Sequence, residues 1–337
     1  MTKVRLADIA AYAHVSEATV SRVLNNKPLV SADTRQSVLT ALDVLGYDRP
    51  ISLRSLRTGL VGLIVPELDN PIFPAYAQVI ETALAAQGYT VVLCTQTPGG
   101  IHEDEYTRML LDRGAAGIVF ISGQHADLTA SPRRYQRLQD AGLPMVLVNG
   151  FTAALHNIPF VSDDDVAAMA MAVEHLLSLG HVRIGLAVGQ DRYVPTRRKV
   201  TGYLRALVGH EGVGAEPLVE STVFTFEGGA EAGTRLLARG ATAIICGSDL
   251  MALGAIDAVR DAGLSAPEDI SVIGYDDSFL MAHTSPPLTT LRQDVRAVGA
   301  AAVHALLAQI RGQAVPDGEL LFRPTLIVRG TTGPLKS

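Results

Sequence analysis

Residues 4–47 read VRLADIAAYAHVSEATVSRVLNNKPLVSADTRQSVLTALDVLGY, and this stretch decides how the amino-terminal part folds. Leu6, Ile9, Ala10 and Ala13 recur at i, i+3, i+4 and i+7, which predicts one short amphipathic helix. Ser16 is placed to cap a second helix, on which Val20, Val23 and Leu24 share a face. Between the two runs His14 occupies a turn position. His tolerates positive φ better than most residues. Ser31 caps a third helix, Ala32 to Leu45, with Val38, Ala41, Leu42 and Leu45 as its apolar stripe and Gly46 as its stop. Two short helices joined by a turn of three or four residues form the unit whose second helix enters a DNA major groove.

If Val20, Val23 and Leu24 face the core, then Glu17, Ala18, Ser21 and Arg22 face outward. Arg22 can pair bidentately with guanine, Glu17 can accept from cytosine, and Ala18 can pack on a thymine methyl. Glu17 serves equally well as a first-turn complement to the helix dipole. Ser16, Thr19, Asn25, Ser31 and Thr34 suit phosphate contacts that set register, and Arg5 and Leu6 open the same surface. Residues 1–58 carry a charge of +3, and the rest of the chain carries −9, within a total of −6. A basic head on an acidic body fits a polyanion-binding module joined to a separate sensing or catalytic part.

From Leu60 onward the chain alternates. The apolar runs VGLIV, YTVVLC, AGIVFI, PMVLVN, VRIGLAV, STVFTF, TAIIC and ISVIGYD read as strands. Helical spacing fills Pro74–Gln87, Glu103–Arg113, Val166–Leu179, Gly229–Arg239, Leu250–Ala262 and Val295–Arg311. Continuous apolar strands between helix-length segments predict parallel sheets covered on both faces, too many for one sheet and enough for two doubly wound lobes. Gly88, Gly114, Gly142, Gly180, Gly240 and Gly263 stand where helices should end. In such sheets ligands lie beyond the carboxyl ends of the strands. There the sequence places Pro66, Glu67, Thr95, Gln96, Ser122, Asn149, Gln190, Asp191, Ser248, Asp249, Asp276 and Asp277. So many polar strand ends favour a small hydrogen-bonding ligand between the lobes.

Other classes fit poorly. The chain has 337 residues, 48% of them hydrophobic and 18% charged, with mean hydropathy +0.24, which excludes a disordered chain. No apolar run approaches the ~20 residues of a membrane span. The amino terminus lacks the pattern of a secretory signal, so the expected location is the cytoplasm. Cys94 and Cys246 lie in separate apolar runs without metal-ligand spacing and read as buried thiols. There is no GxGxxG after a strand, no GxxxxGK[ST], no GxSxG and no HExxH, and no cofactor is expected. The runs His102-Glu103-Asp104-Glu105 and Asp163-Asp164-Asp165 read as acidic helix starts before metal sites. An enzyme on the same two-lobed scaffold, or an exported solute receptor, remains the alternative.

The head closely resembles that of the LacI/GalR (lactose-repressor) family of bacterial transcription regulators. Further similar stretches are GLIVPELDNPIFPAYAQVIE, GAAGIVFIS, MVLVNG, HLLSLGHVRIGLAVG, CGSDLMALGAIDAVRDAGLSAPEDISVIGYDD and PPLTTLRQD. The resemblance implies a small all-α helix-turn-helix head over 1–48, a hinge or linker over 49–59, and a two-lobed α/β core of the periplasmic-binding-protein type over 60–337. Its first lobe would take about 60–159 and 291–321, its second about 160–290 and 322–337. It further implies a homodimer on a palindromic double-stranded operator, a small effector, often a sugar, between the lobes, and no membrane partner. In RSLRTG, Leu56 matches a minor-groove wedge and Arg54 a backbone contact, although LRTG runs directly into LVGLIVPEL and Leu53 stands where a small residue is usual. Carried over by position, the effector contacts are Ile72, Phe73, Gln96, Ser122, Tyr193, Lys199, Phe224, Asp249 and Asp276. Lys199 stands where the family usually has arginine and lacks arginine's planar fork. The end TLIVRGTTGPLKS has no heptads, so no coiled-coil tetramer is expected.

Overall fold

The computed structural model describes residues 4–24, 27, 30–45, 47, 59–96, 100–208, 210 and 216–336. They fall into two compact units that divide between Thr58 and Gly59. The hinge expected at 49–59, and with it Arg54 and Leu56, lies outside the described residues apart from Gly59, as does Asn25.

In the first unit α1 spans Leu6–Tyr12, α2 Glu17–Leu24 and α3 Ala32–Leu45. Ile9 and Ala10 of α1, Val20, Val23 and Leu24 of α2, and Val38, Ala41 and Leu42 of α3 form its core. His14 adopts φ 53°, the left-handed turn expected of it. The Ser16 hydroxyl accepts the Thr19 N–H at 3.2 Å, and Ser31 accepts that of Thr34 at 3.2 Å. Each cap satisfies an amide that the helix itself leaves unpaired.

The second unit holds two lobes. In the first, β1 (Gly59–Val65), α4 (Ile72–Ala86), β2 (Tyr89–Thr95), α5 (Glu103–Asp112), β3 (Ala115–Ile121), α6 (Arg133–Asp140), β4 (Met145–Val148) and β5 (Phe160–Asp163) follow in order. In the second come α7 (Asp165–Ser178), β6 (Ile184–Val188), α8 (Val194–Leu207), β7 (Leu218–Ser221), α9 (Phe226–Ala238), β8 (Ala243–Cys246), α10 (Asp249–Asp261), β9 (Ser271–Asp276) and β10 (Thr289–Arg292). The chain then returns as α11 (Val295–Ile310) and β11 (Glu319–Phe322) and ends with β12 (Thr325–Ile327). The sheet orders are β11-β5-β4-β3-β1-β2 and β12-β10-β9-β8-β6-β7. Every neighbouring pair is parallel except β10 with β12.

The runs are apolar throughout because both faces of each sheet are covered. On β1, Val61, Leu63 and Val65 pack with Tyr76 and Ile80 of α4 and Val298 and Leu306 of α11. Ile64 points the other way, to Leu110 of α5 and Tyr135 of α6. In the second lobe Leu186 and Val188 meet α7 and α8, whereas Ala187 and Cys246 meet α9 and α10. Both cysteines are buried and free. The six glycines read as helix stops all have positive φ, for example Gly88 at 86° and Gly180 at 88°.

Two expectations need correction. STVFTF is not a strand: β7 lies earlier, at Leu218–Ser221, and Thr225 instead caps α9, accepting the Gly228 N–H at 3.1 Å. The lobe boundary drawn near 160 puts β5 in the wrong lobe, and those near 291 and 322 fall inside β10 and β11, because ladder pairing holds β5 and β11 in the first sheet and β10 in the second to their ends. The chain changes lobe just beyond them, at Asp164, at Gln293–Asp294 and at Arg323–Pro324. The run Asp163-Asp164-Asp165 opens a helix after a strand as expected: Asp163 ends β5, Asp164 caps α7 by accepting the Ala167 N–H at 2.9 Å, and Asp165 lies in its first turn.

Candidate functional site

Each lobe presents the carboxyl ends of its strands to a cavity of about 430 Å³, a size suited to a small organic ligand. Ser122 after β3, Asn149 after β4 and Asp276 at the end of β9 all line it, at φ 47°, 61° and 118°. Non-glycine residues at positive φ are costly, and here the cost aims polar groups inward at the ends of strands. Ile72 and Phe73 come from the start of α4, Tyr193 and Lys199 from the start and first half of α8, and Phe224 from the segment before α9. A Cβ on Gly189 would fall 2.0 Å from the Phe224 ring, and one on Gly247 3.0 Å from it, so this aromatic wall rests on bare backbone.

Seven of the nine positions carried over thus share one wall: Ile72, Phe73, Ser122, Tyr193, Lys199, Phe224 and Asp276. Two do not. Gln96 follows β2, the outermost strand of its sheet, and its N–H extends the β1–β2 ladder onto the Val65 carbonyl at 3.2 Å. Asp249 lies fully buried behind the wall, where its carboxylate accepts from the Ser278 N–H at 2.7 Å, the Ser278 hydroxyl at 2.8 Å and the Thr290 hydroxyl at 2.6 Å.

The wall also holds polar residues that the carry-over missed: Asn70, Asp163, Asp165, Tyr275 and Gln293. The Lys199 ammonium sits 2.5 Å from Asp165 Oδ1 and 3.9 Å from the centre of the Tyr275 ring, whose hydroxyl donates to the same carboxylate at 2.8 Å. Lys199 is therefore committed to an ion pair inside the wall. Tyr76 Oη lies 3.0 Å from Asp163 Oδ2 and 2.8 Å from Gln293 Oε1. Gln293 Nε2 donates to Asp276 Oδ1 at 2.6 Å, and Asn70 Nδ2 reaches Oδ2 at 3.4 Å. Burial, reinforced by the Asp165 charge, pushes the Asp163 carboxyl up to about 7. Burial, then the charge of Asp249, holds Asp276 well above the ordinary carboxylate range. No group of three or more metal-ligating side chains occurs among the described residues.

On the head, Ser16, Glu17, Ala18 and Arg22 are exposed and Thr19 and Ser21 half-buried, with Ala18 and Arg22 on the side of α2 away from Val20, Val23 and Leu24. Ser31 is exposed and Thr34 half-buried at the start of α3. Arg5 is exposed, its N–H donating to Asp8 Oδ2 at 2.7 Å, whereas Leu6 packs partly on the core.

Residues 5–49 match the family model described as bacterial regulatory proteins, lacI family, and residues 173–332 match a periplasmic binding protein-like domain. The HTH-type transcriptional regulator MalR of Streptomyces coelicolor is 59% identical over 332 residues, covering 97% of this chain and 96% of MalR. The HTH-type transcriptional repressor CytR of Escherichia coli is 34% identical over 342 residues, covering 99% and 98%. Among solved structures, a transcriptional regulator CelR-cellobiose complex shares 30% identity with TM-score 0.72 over 97% of this chain and 99% of that one. A lac repressor dimer bound to operator shares 29% identity with TM-score 0.69 over 98% and 100%. The helix-turn-helix head, the paired parallel sheets and these similarities converge: the chain belongs to the LacI family of DNA-binding bacterial transcription regulators.

Proposed function

We propose that the protein is a repressor whose hold on a palindromic operator is set by a neutral sugar bound between the core lobes. The cavity carries this reading: strand ends of both lobes converge on it, with aromatic faces from Phe73, Tyr193 and Phe224 beside hydrogen-bonding Asn70, Asn149, Gln190 and Asp276. Rings that stack on apolar sugar faces, next to donors and acceptors for hydroxyls, suit a saccharide. The cellobiose in the related complex has the same chemistry. Because the wall is drawn from both lobes, a ligand that bridges them favours one closure over another, and it shifts DNA affinity by its differential affinity for the two states.

The reading assigns residues 1–48 to DNA, 49–59 to a hinge and 60–337 to the effector core. Arg22, Glu17, Ala18 and Ser21 read bases, while Arg5, Leu6, Ser16, Thr19, Asn25, Ser31 and Thr34 set register. Arg54 and Leu56 complete the contact from the hinge. A two-fold operator calls for a homodimer, with the second helices about one DNA turn, ~34 Å, apart. Such a regulator acts in the cytoplasm and needs no catalysis; no helix among the described residues is long and apolar enough to cross a membrane. The test is melting of the full chain with cellobiose and with ribose, since a ligand stabilises the fold that binds it by RT ln(1 + [L]/Kd). A saturable rise in Tm with either sugar, accompanied by changed retention of duplex DNA, supports the reading. A rise that leaves DNA retention unchanged defeats it.

A further inference from the structure

The hydrogen bonds across the cavity do not balance if every carboxylate is ionised. Tyr76 has one hydroxyl proton and two acceptors in reach, Asp163 Oδ2 at 3.0 Å and Gln293 Oε1 at 2.8 Å. Gln293 is held with its Nε2 donating to Asp276, so Oε1 is left to Tyr76. Asn70 cannot turn to help, because its Oδ1 accepts the Ile72 N–H at 3.2 Å while its Nδ2 faces Asp276. One added proton completes the chain: Asp163 Oδ2–H donates to Tyr76, Tyr76 to Gln293, and Gln293 to ionised Asp276. With the Gln293 amide turned over, the same proton sits on Asp276 and every bond reverses. Either way, two carboxyls hold one proton.

We propose that Asp163 of the first lobe and Asp276 of the second share a single proton through Tyr76 and Gln293, and that this pair fits the cavity to a neutral hydroxylated ligand over a cationic one. The inference rests on the effector reading of the cavity and adds the charge of its ligand. Asp163 lines the cavity, and its Oδ1 is buried with no hydrogen-bond partner among the described residues, as suits the end of the chain that carries the proton.

The surrounding charges press on both ends of the chain. Asp165 and Asp294 raise the cost of a charge on Asp163, and Lys199 offsets it in part. Asp249 stands behind Asp276, with Lys199 again opposing. Asp277, next along, is neutralised by Arg292 and Arg329 at 2.6 Å each. Arg198 is occupied by Glu319, and Tyr275 donates to Asp165. Glu67 at the rim is pushed up by burial and then by Asp69, and Asn149 faces the Tyr76 hydroxyl. Burial and these neighbouring carboxylates disfavour a full charge at either end of the chain. With the shared proton in place the cavity needs no ammonium to balance it, and an amine would have to expel that proton first.

The experiment counts protons in the ligand-free full chain by infrared titration of the carboxyl band from pH 5 to 9, comparing wild type with Asp163→Asn and Asp276→Asn. Near neutral pH wild type should lose one protonated carboxyl beyond those it shares with both variants, such as Asp249, which burial pushes up to about 6. Both single variants should lack that additional step, because asparagine supplies the donor and the remaining carboxylate then receives a hydrogen bond along the chain. Survival of that step in Asp276→Asn assigns the proton to Asp163 alone and overturns the pair, as does its absence from wild type. Tyr76→Phe gives an opposite-sign check should an asparagine variant not fold. Its step moves to lower pH if Tyr76 accepts the shared proton, and to higher pH if Tyr76 merely donates to an ionised Asp163, which refutes the proposal. Melting shifts with cellobiose and with glucosamine test the ligand charge: glucosamine stabilising wild type more than cellobiose overturns that part. If neither sugar stabilises the chain, the sugar reading fails, and the titration still decides the proton pair.

Discussion

The head and the cavity are both polar recognition surfaces, yet they are built on opposite terms. On α2 Glu17, Ala18 and Arg22 stand exposed, and Ser16 and Thr19 satisfy each other locally, with 2.9 Å between their hydroxyls. In the cavity Lys199, Asp163 and Asp276 are each no more than 5% exposed, and each depends on partners from another element. Exposed polar groups contribute little to stability and can be changed almost singly. Buried ones form networks in which one removal strands the rest. On the proposed reading, DNA is read with side chains that the fold barely needs, and the ligand is sensed with side chains that it does need.

Several substitutions can break this contrast. The largest effect is expected from Lys199→Ala, which leaves Asp165 charged and buried without its cation and should cost about 3–5 kcal/mol in chemical denaturation of the core. A cost below about 1 kcal/mol would place Lys199 with the exposed head residues and end the distinction. His125, buried and held down to about pKa 4 mainly by desolvation, gives the pH counterpart. Its folded pKa lies below the unfolded value, so the unfolded chain binds the proton more tightly, and stability falls as pH drops from about 6.5 to 4. The loss approaches about 3 kcal/mol for this group, and His125→Gln should remove it from the melting profile measured between pH 4 and 7.

Gly189→Ala should come next, at about 1–3 kcal/mol, because the new methyl drives Phe224 off its seat. Loss of ligand-induced stabilisation should exceed the loss of fold. Arg22→Ala belongs to the other side of the contrast: melting should change by less than about 0.5 kcal/mol, whereas DNA discrimination falls by about 1–3 kcal/mol at one base pair. The smallest effect is expected for Ser16→Ala, about 1 kcal/mol on head stability from the lost cap, read by amide exchange of α2.

Legibility in the sequence follows the same line. Spacing exposed the head because its helices are amphipathic, with Val20 and Val23 inside and Arg22 outside. Glycine stops such as Gly88 and Gly180 located helix ends because the left-handed backbone there favours one residue type. Polar strand ends pointed to the cavity through Ser122, Asn149 and Asp276. Position along a strand could not show where that strand lies in its sheet, which is why Gln96, on edge strand β2, was misplaced. Asp249 was misplaced for a related reason: a helix start faces the cavity or its backing according to packing, and spacing does not record packing. Asp163 and Gln293 were hidden because they sit at changes of lobe, Asp163 ending and Gln293 following a strand of only four residues. Tyr76 looked like any apolar residue on the buried stripe of α4. Glu103 opened its helix as expected, but burial adds a role that spacing does not reveal, accepting from the Tyr135 hydroxyl at 2.6 Å and the Gln124 N–H at 3.0 Å.

The most direct test of the account is selection of duplexes from a random-sequence pool by the full chain at moderate salt, run in parallel with Arg22→Ala. The account predicts enrichment of one two-fold symmetric sequence by the wild type and a relaxed base preference at one position of each half-site in the variant. Enrichment of no sequence, or an identical preference from both proteins, would contradict it.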